Sequence, residues 1–163
     1  MPCRHSQRLR QSARRRRTPD RFGGGLLNYL LDTNVLSETR KRQPATGVTS
    51  WIAATPSERL HVSVLTLGKI EQAISRLRGR GDNGQAAGLE RWLREVEIGF
   101  ADRILPITLP VAAAWGRQQH AQPLPVIDGL IAAAAKVNSL TVVTRNAKDF
   151  ERTGVQVLNP FAD

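Results

Sequence analysis

Short apolar runs alternate along this chain with longer stretches whose apolar positions recur every three to four residues, which is the pattern of strands exchanged with amphipathic helices. Residues 28–31 predict a first buried strand, and Asp32, Thr33 and Asn34 supply capping side chains for a short helix that starts at Val35 and ends among residues 40–44. A helix over 48–54, closed by Pro56, and a strand over 60–64 follow. Leu67, Ile70, Ile74 and Leu77 share one face of a predicted helix over 65–77, and Leu89, Trp92, Leu93 and Val96 do the same over 85–96, after a glycine-rich turn at 79–84. A third strand is expected over 104–107, with Pro106 marking an edge, then a helix over 111–120 broken by Pro123 and Pro125. Residues 126–137 form an alanine-rich helix suited to close packing, 141–144 a fourth strand, 146–150 a helical turn and 155–158 a last edge strand. This alternation predicts an α/β fold with a parallel sheet covered on both faces.

Composition sharpens the domain organisation. A chain of 163 residues with 40% hydrophobic content suffices for one domain with a core of its own. The net charge of +10 is unevenly spread: residues 1–26 hold eight arginines against Asp20, leaving 16 basic and 13 acidic side chains for the body. The high overall charge therefore says little about the folded part. Cys3, the single cysteine, lies in the tail, so the body from residue 27 to 163 has no intrachain disulfide and no thiolate metal site. No run approaches the roughly 18 to 20 apolar residues of a membrane span, and no apolar segment at the start reads as a secretory signal. The expectation is a soluble, cytoplasmic protein.

Residues 1–26 lack hydrophobic periodicity and run into Gly23, Gly24 and Gly25, so their composition predicts disorder. An arginine run of this kind suits phosphate binding, a nuclear signal or an organellar transit peptide. The simpler expectation is upstream sequence translated from a start codon chosen too early. The Arg80-Gly81-Asp82 triplet is like an adhesion motif, but three residues in a turn carry no argument.

In a parallel sheet the carboxyl ends of the strands share one edge. Asp32 follows the first strand, Asp149 lies beyond the fourth, and Asp128 opens a helix that can aim its N-terminus at the same edge. Carboxylates gathered this way repel unless protonated or neutralised by a cation. Hard oxygen donors without histidine or cysteine select Mg²⁺ or Mn²⁺, ions that orient water and stabilise in-line displacement at phosphorus. Taken singly, each acid has a structural explanation: Asp32 as an N-cap, Asp128 as a first-turn charge favoured by the helix dipole, Asp149 as a solvated turn residue. Glu38, Glu71 and Glu151 read as surface helix charges.

Four segments, in order and spacing, carry a resemblance: Leu30-Leu31-Asp32-Thr33-Asn34-Val35-Leu36-Ser37-Glu38; Val62-Ser63-Val64-Leu65-Thr66-Leu67-Gly68; Leu124-Pro125-Val126-Ile127-Asp128-Gly129-Leu130-Ile131-Ala132-Ala133; and Val143-Thr144-Arg145-Asn146-Ala147-Lys148-Asp149-Phe150 with Leu158-Asn159-Pro160-Phe161. From residue 28 onward the chain resembles the PIN-domain family, and within it the VapC-type and FitB-like toxins of type II toxin–antitoxin pairs. The resemblance implies a three-layer α/β/α sandwich around a mostly parallel sheet. It also implies an endoribonuclease dependent on Mg²⁺ or Mn²⁺, homodimeric, and inhibited by a cognate antitoxin with a DNA-binding N-terminus. On this resemblance Asp32 and Asp128 match metal-holding acids with Asp149 close by, so Asp32, Asp128 and Asp149 are the expected catalytic and metal-binding residues, with Asn34, Thr144 and Asn146 at supporting positions. Metal-held water would attack an RNA phosphodiester, with tRNA and ribosomal RNA as the substrate classes.

One position departs from the family. Its second acid normally follows the glycine matching Gly68, and here that place is Lys69. The exchange alters local charge by two units, and at 4 Å an ion pair with Asp32 is worth about 4 kcal/mol before desolvation at an effective dielectric near 20. The ammonium can therefore occupy metal space or swing to solvent on its flexible stem. Glu71 cannot substitute, because two helical positions turn the chain by about 200°. Three outcomes stand open: an attenuated nuclease, an inactive module that binds RNA or antitoxin, and a FitB-like partner in a DNA-binding repressor complex. Arg76, Arg78 and Arg80 suit either phosphate contact or a solvated face. Aromatic content of 5% leaves few stacking platforms, so RNA would be read by charge and shape. Trp51, Trp92 and Trp115 are expected in core or dimer packing.

Overall fold

The computed structural model describes residues 27–118 and 124–161. The expectations for the basic tail over 1–26 and for the break at Pro123 lie outside the described residues, whereas the helix expected over 111–120 is found at Leu109–Gly116 and ends at Arg117, whose amide closes its last turn. Five strands form one sheet: β1 (Tyr29–Leu31), β2 (Leu60–Ser63), β3 (Ile104–Leu105), β4 (Thr141–Val143) and β5 (Val157–Leu158). Their order is β3-β2-β1-β4-β5, and every neighbouring pair is parallel. Tyr29 registers with Leu60 on one side and Thr141 on the other, so β1 is the centre. Both proline-flanked or terminal strands expected at edges, β3 and β5, are there. β3 ends at Leu105 because Pro106 has no amide to continue the ladder.

Strand periodicity sorts the side chains into two cores. Tyr29, Leu31, Leu60, Val62 and Val143 face one side, under α1 (Thr33–Glu38), α2 (Thr46–Ala54), α3 (Val64–Gly79) and α4 (Asn83–Gly99). Leu30 and Val142 face the other, under α5 (Leu109–Gly116), α6 (Val126–Val137) and α7 (Ala147–Glu151). The result is the three-layer α/β/α sandwich. α3 begins at Val64, one residue earlier than a strand over 60–64 allows, because Ser63 caps it through the Leu65 amide at 3.2 Å. Ala132, Ala133, Ala134 and Ala135 are fully buried, so small side chains do let α6 lie close to the sheet. Trp92 is buried and Trp51 meets Tyr29 edge to face at 5.1 Å, whereas Trp115 stays 38% exposed with its ring edge against Gly129.

Glu38 corrects the sequence-based expectation. Instead of a surface charge, its side chain is 3% exposed at the end of α1. It accepts hydrogen bonds from Lys41 and from the Ala45 amide at 3.0 Å, and Arg145 approaches to 3.3 Å. The six-residue helix ends in a turn that folds back over it, and this is invisible to helical periodicity. Burial pushes the Glu38 carboxyl up, but the Lys41 and Ala45 hydrogen bonds and the Lys41 and Arg145 charges outweigh it, holding the group below its ordinary 4.5. A depressed folded pKa means the carboxylate stabilises the fold above the unfolded value and ceases to do so as pH falls through the folded one. Glu38→Gln is therefore expected to lower Tm at neutral pH, with the gap to the parent closing below about pH 4.5 in melts recorded across a pH series. A gap that stays constant into acid would show that the charge contributes nothing.

Arg145 also lies over the Phe161 ring at 4.0 Å, tying the C-terminal segment to the same corner. Gly47 permits this closure, since a Cβ there would run into the Pro160 carbonyl oxygen.

Candidate active site at the end of the central strand

The central strand delivers Asp32 to the edge where chain order reverses, β2 and β3 lying to one side and β4 and β5 to the other. Its amide donates to the Val143 carbonyl at 3.0 Å, which fixes the backbone against β4. The residue caps α1 by accepting from the Thr33 amide at 2.7 Å, and it is 5% exposed. The cap explanation is thus true of Asp32, and it uses only part of the carboxylate. Oδ2 accepts from Thr144 Oγ1 at 2.9 Å and Asn34 Nδ2 at 3.0 Å. Thr144 Oγ1, fully buried, in turn accepts from Asn34 Nδ2 at 3.1 Å and the Asn146 amide at 3.0 Å, while Asn34 Oδ1 accepts from the Arg145 amide at 3.1 Å. Asn34 and Thr144 therefore bond Asp32 directly and hold its rotamer, and Asn146 reaches it only through Thr144.

Asp128 stands in the first turn of α6, where Pro125 offers no side-chain cap. Between it and Asp32 lies Lys69, on the second turn of α3. The ammonium donates to Asp128 Oδ1 at 2.6 Å and sits 3.8 Å from Asp32 Oδ1. Lys69 does not swing to solvent; its side chain is 29% exposed and joins the two acids. Asp149 points elsewhere. It accepts from Asn146 Nδ2 and, at 2.7 Å, from Arg152, with 40% of its side chain exposed. Its link to Asp32 runs indirectly, through Asn146 and Thr144.

These contacts decide whether the residues fit a divalent cation. Among the described residues no three histidine, cysteine or carboxylate side chains are grouped so as to hold a metal. The inner oxygens of Asp32 and Asp128 face an ammonium. Thr33 Oγ1 is buried without a hydrogen-bond partner, but one neutral hydroxyl adds no charge to the site. As built, the donor set does not fit Mg²⁺ or Mn²⁺.

The arginines after the acid-bearing helix are engaged on their own surface: Arg76 with Gln72, Arg78 with Glu90 at 2.9 Å, and Arg80 with Asp82 at 3.7 Å. Sequence reasoning missed a different group of cations. Arg117, Lys136 and Arg152 line a cleft of about 500 Å³ between the ends of α5, α6 and α7. They are scattered over 35 positions, so no charge run could announce them. No helix among the described residues is long and apolar enough to cross a membrane.

A wholly parallel five-stranded sheet between two helical layers, with an acid at the end of its central strand and a second acid on a helix across from it, makes this an α/β/α sandwich with its candidate site at the carboxyl edge of the sheet. The chain belongs to the PIN-domain family, whose sequence model matches residues 29–156. It is 36% identical over 140 residues to Toxin FitB of Neisseria gonorrhoeae, spanning 82% of this chain and 99% of that protein. It is 28% identical over 137 residues to VapC ribonuclease Y4jK of Sinorhizobium fredii, spanning 81% of this chain and 96% of the relative. The solved structure of FitAB bound to an IR36 DNA fragment superimposes with a TM-score of 0.70 at 34% identity, covering 82% of this chain and 96% of that one.

Proposed function

We propose that the chain is the toxin-fold subunit of a type II toxin–antitoxin pair. It acts chiefly through its complex with a DNA-binding antitoxin, and its metal-dependent RNA cleavage is attenuated. The observation that carries this is Lys69 lodged between Asp32 and Asp128 on an otherwise intact PIN frame. Asp149 takes a supporting place at the rim. Similarity to a named toxin over nearly its whole length, and to a pair that binds DNA, supports the partner. Leu109, Val126 and Ile127, exposed at the starts of α5 and α6, support a protein-covered face, with a homodimer as one occupant. Of the cations of the α5–α7 cleft, Lys136 bonds the Thr153 carbonyl at 2.9 Å and Arg152 bonds Asp149, so Arg117 is the one that supports residual contact with RNA phosphates. The working unit is residues 27–163, in the cytoplasm.

The test is co-expression with the small protein encoded beside it, followed by purification, gel shift on the DNA upstream of the pair, and incubation of the freed subunit with total RNA and Mg²⁺. A stable complex that shifts this DNA, with RNA cut slowly, is the expected result. Rapid EDTA-sensitive cleavage by the unaltered protein would overturn the attenuation. Failure to form the complex would overturn the pairing.

A further inference from the structure

Two carboxylates that face each other across a partly dry site need either protonation of one of them or a positive charge in order to coexist. Here α3 supplies one covalently. Lys69 Nζ lies 2.6 Å from Asp128, the length of a strong charge-assisted hydrogen bond, and 3.8 Å from Asp32. It is held there by a 16-residue helix whose buried Thr66, Ile70 and Ile74 fix it to the core. A tethered cation competes at a high effective concentration that no buffer change dilutes. Mg²⁺ dehydrates reluctantly and demands near-octahedral oxygen donors. To enter, it would have to break the Lys69–Asp128 bond, sit beside the displaced ammonium and manage without a third carboxylate.

We propose that the Lys69 ammonium is the resident cation of this site, taking the place of a divalent ion, so that the acid pair is assembled without metal and takes up Mg²⁺ or Mn²⁺ only in the minor fraction of molecules whose ammonium is displaced, too few to saturate at millimolar concentration. The inference rests on the PIN-family assignment of Asp32 and Asp128 as the metal-facing acids. It deepens the proposed function by giving the site a metal-independent state.

The probe is Mn²⁺, added to the purified full chain and followed by calorimetry, by the electron paramagnetic resonance signal of free Mn²⁺ and by thermal melts. The unaltered protein is expected to show no saturable uptake and the same Tm in EDTA and in millimolar Mn²⁺. Lys69→Met is expected to melt lower than the parent in EDTA, to gain one saturable site and to recover Tm with Mn²⁺, since a ligand of the folded state alone stabilises it. Adding Asp32→Asn to Lys69→Met should remove that site. Saturable uptake by the unaltered protein, lost in Asp32→Asn, would overturn the proposal, and that titration requires no Lys69 variant to fold. Absence of uptake by a folded Lys69→Met would overturn it too, by showing that the ammonium displaces nothing. Neither result touches partner capture, so the two proposals fail separately.

Discussion

Lys69→Glu is expected to raise Mg²⁺-dependent RNA cleavage by on the order of tenfold to hundredfold, the span over which altering the surroundings of a metal ligand usually changes activity. The substitution reverses the charge between Asp32 and Asp128 and removes the donor that now binds Asp128 at 2.6 Å. Three carboxylates would then share the edge of the sheet, and a divalent cation would relieve their repulsion without one of them having to be protonated. The helix need not move, because Lys69 already directs its side chain to both acids. The frame that positions Asp32, made by Thr144 and Asn34, does not involve Lys69 and should survive. The measurement is the initial rate of cleavage of total RNA by partner-free protein with Mg²⁺ and with EDTA. The gain should vanish in EDTA. A rate no higher than the parent's, from a variant that folds, would show that the site is not where the family's frame puts it.

How far this site was legible in the sequence depends on the kind of signal each residue leaves. Asp32 was readable because it ends an apolar run and starts a helix, a local transition that needs no tertiary information. The sheet and its edge strands followed from alternation and from Pro106. The helix boundaries slipped by one to four residues, and at Ser63 and Asp32 the reason is that a side-chain cap overrode periodicity. Lys69 was recognisable as a departure from the family pattern, but its rotamer was not: contact with Asp128, 59 positions away, arises only once α3 and α6 are packed on opposite faces of the sheet. Glu38 was misjudged for the same reason. Its burial comes from a turn and from Arg145, 107 positions away. Asp149 is the opposite case, a residue whose sequence position suggested convergence but whose carboxylate is drawn off locally by Arg152 three residues along the chain.

Asp32→Ala is expected to cost about 3 kcal/mol of folding stability, read as a fall in the urea midpoint with an unchanged m-value. The carboxylate is 5% exposed and accepts from three groups while facing a fourth. Its loss removes the cap of α1, worth about 0.5 to 2 kcal/mol. It also strands the Thr144 hydroxyl, which is fully buried and has no other acceptor among its described hydrogen bonds. An orphaned buried donor costs about 1 to 3 kcal/mol. Against this, removal of a desolvated carboxylate returns some free energy, which keeps the net below the sum. Asp32→Asn separates charge from hydrogen bonding. Its amide oxygen can still accept from Thr144 and Asn34, but it no longer attracts Lys69, so about half the loss is expected. If the two variants are equally destabilised, the attraction between Lys69 and Asp32 dominates; if Asp32→Asn matches the parent, the hydrogen-bonded frame alone holds this corner. In the parent, a midpoint that does not respond to EDTA is the expected result for an acid pair held by an ammonium, whereas a midpoint that falls on chelation would mean that a divalent ion contributes to the fold.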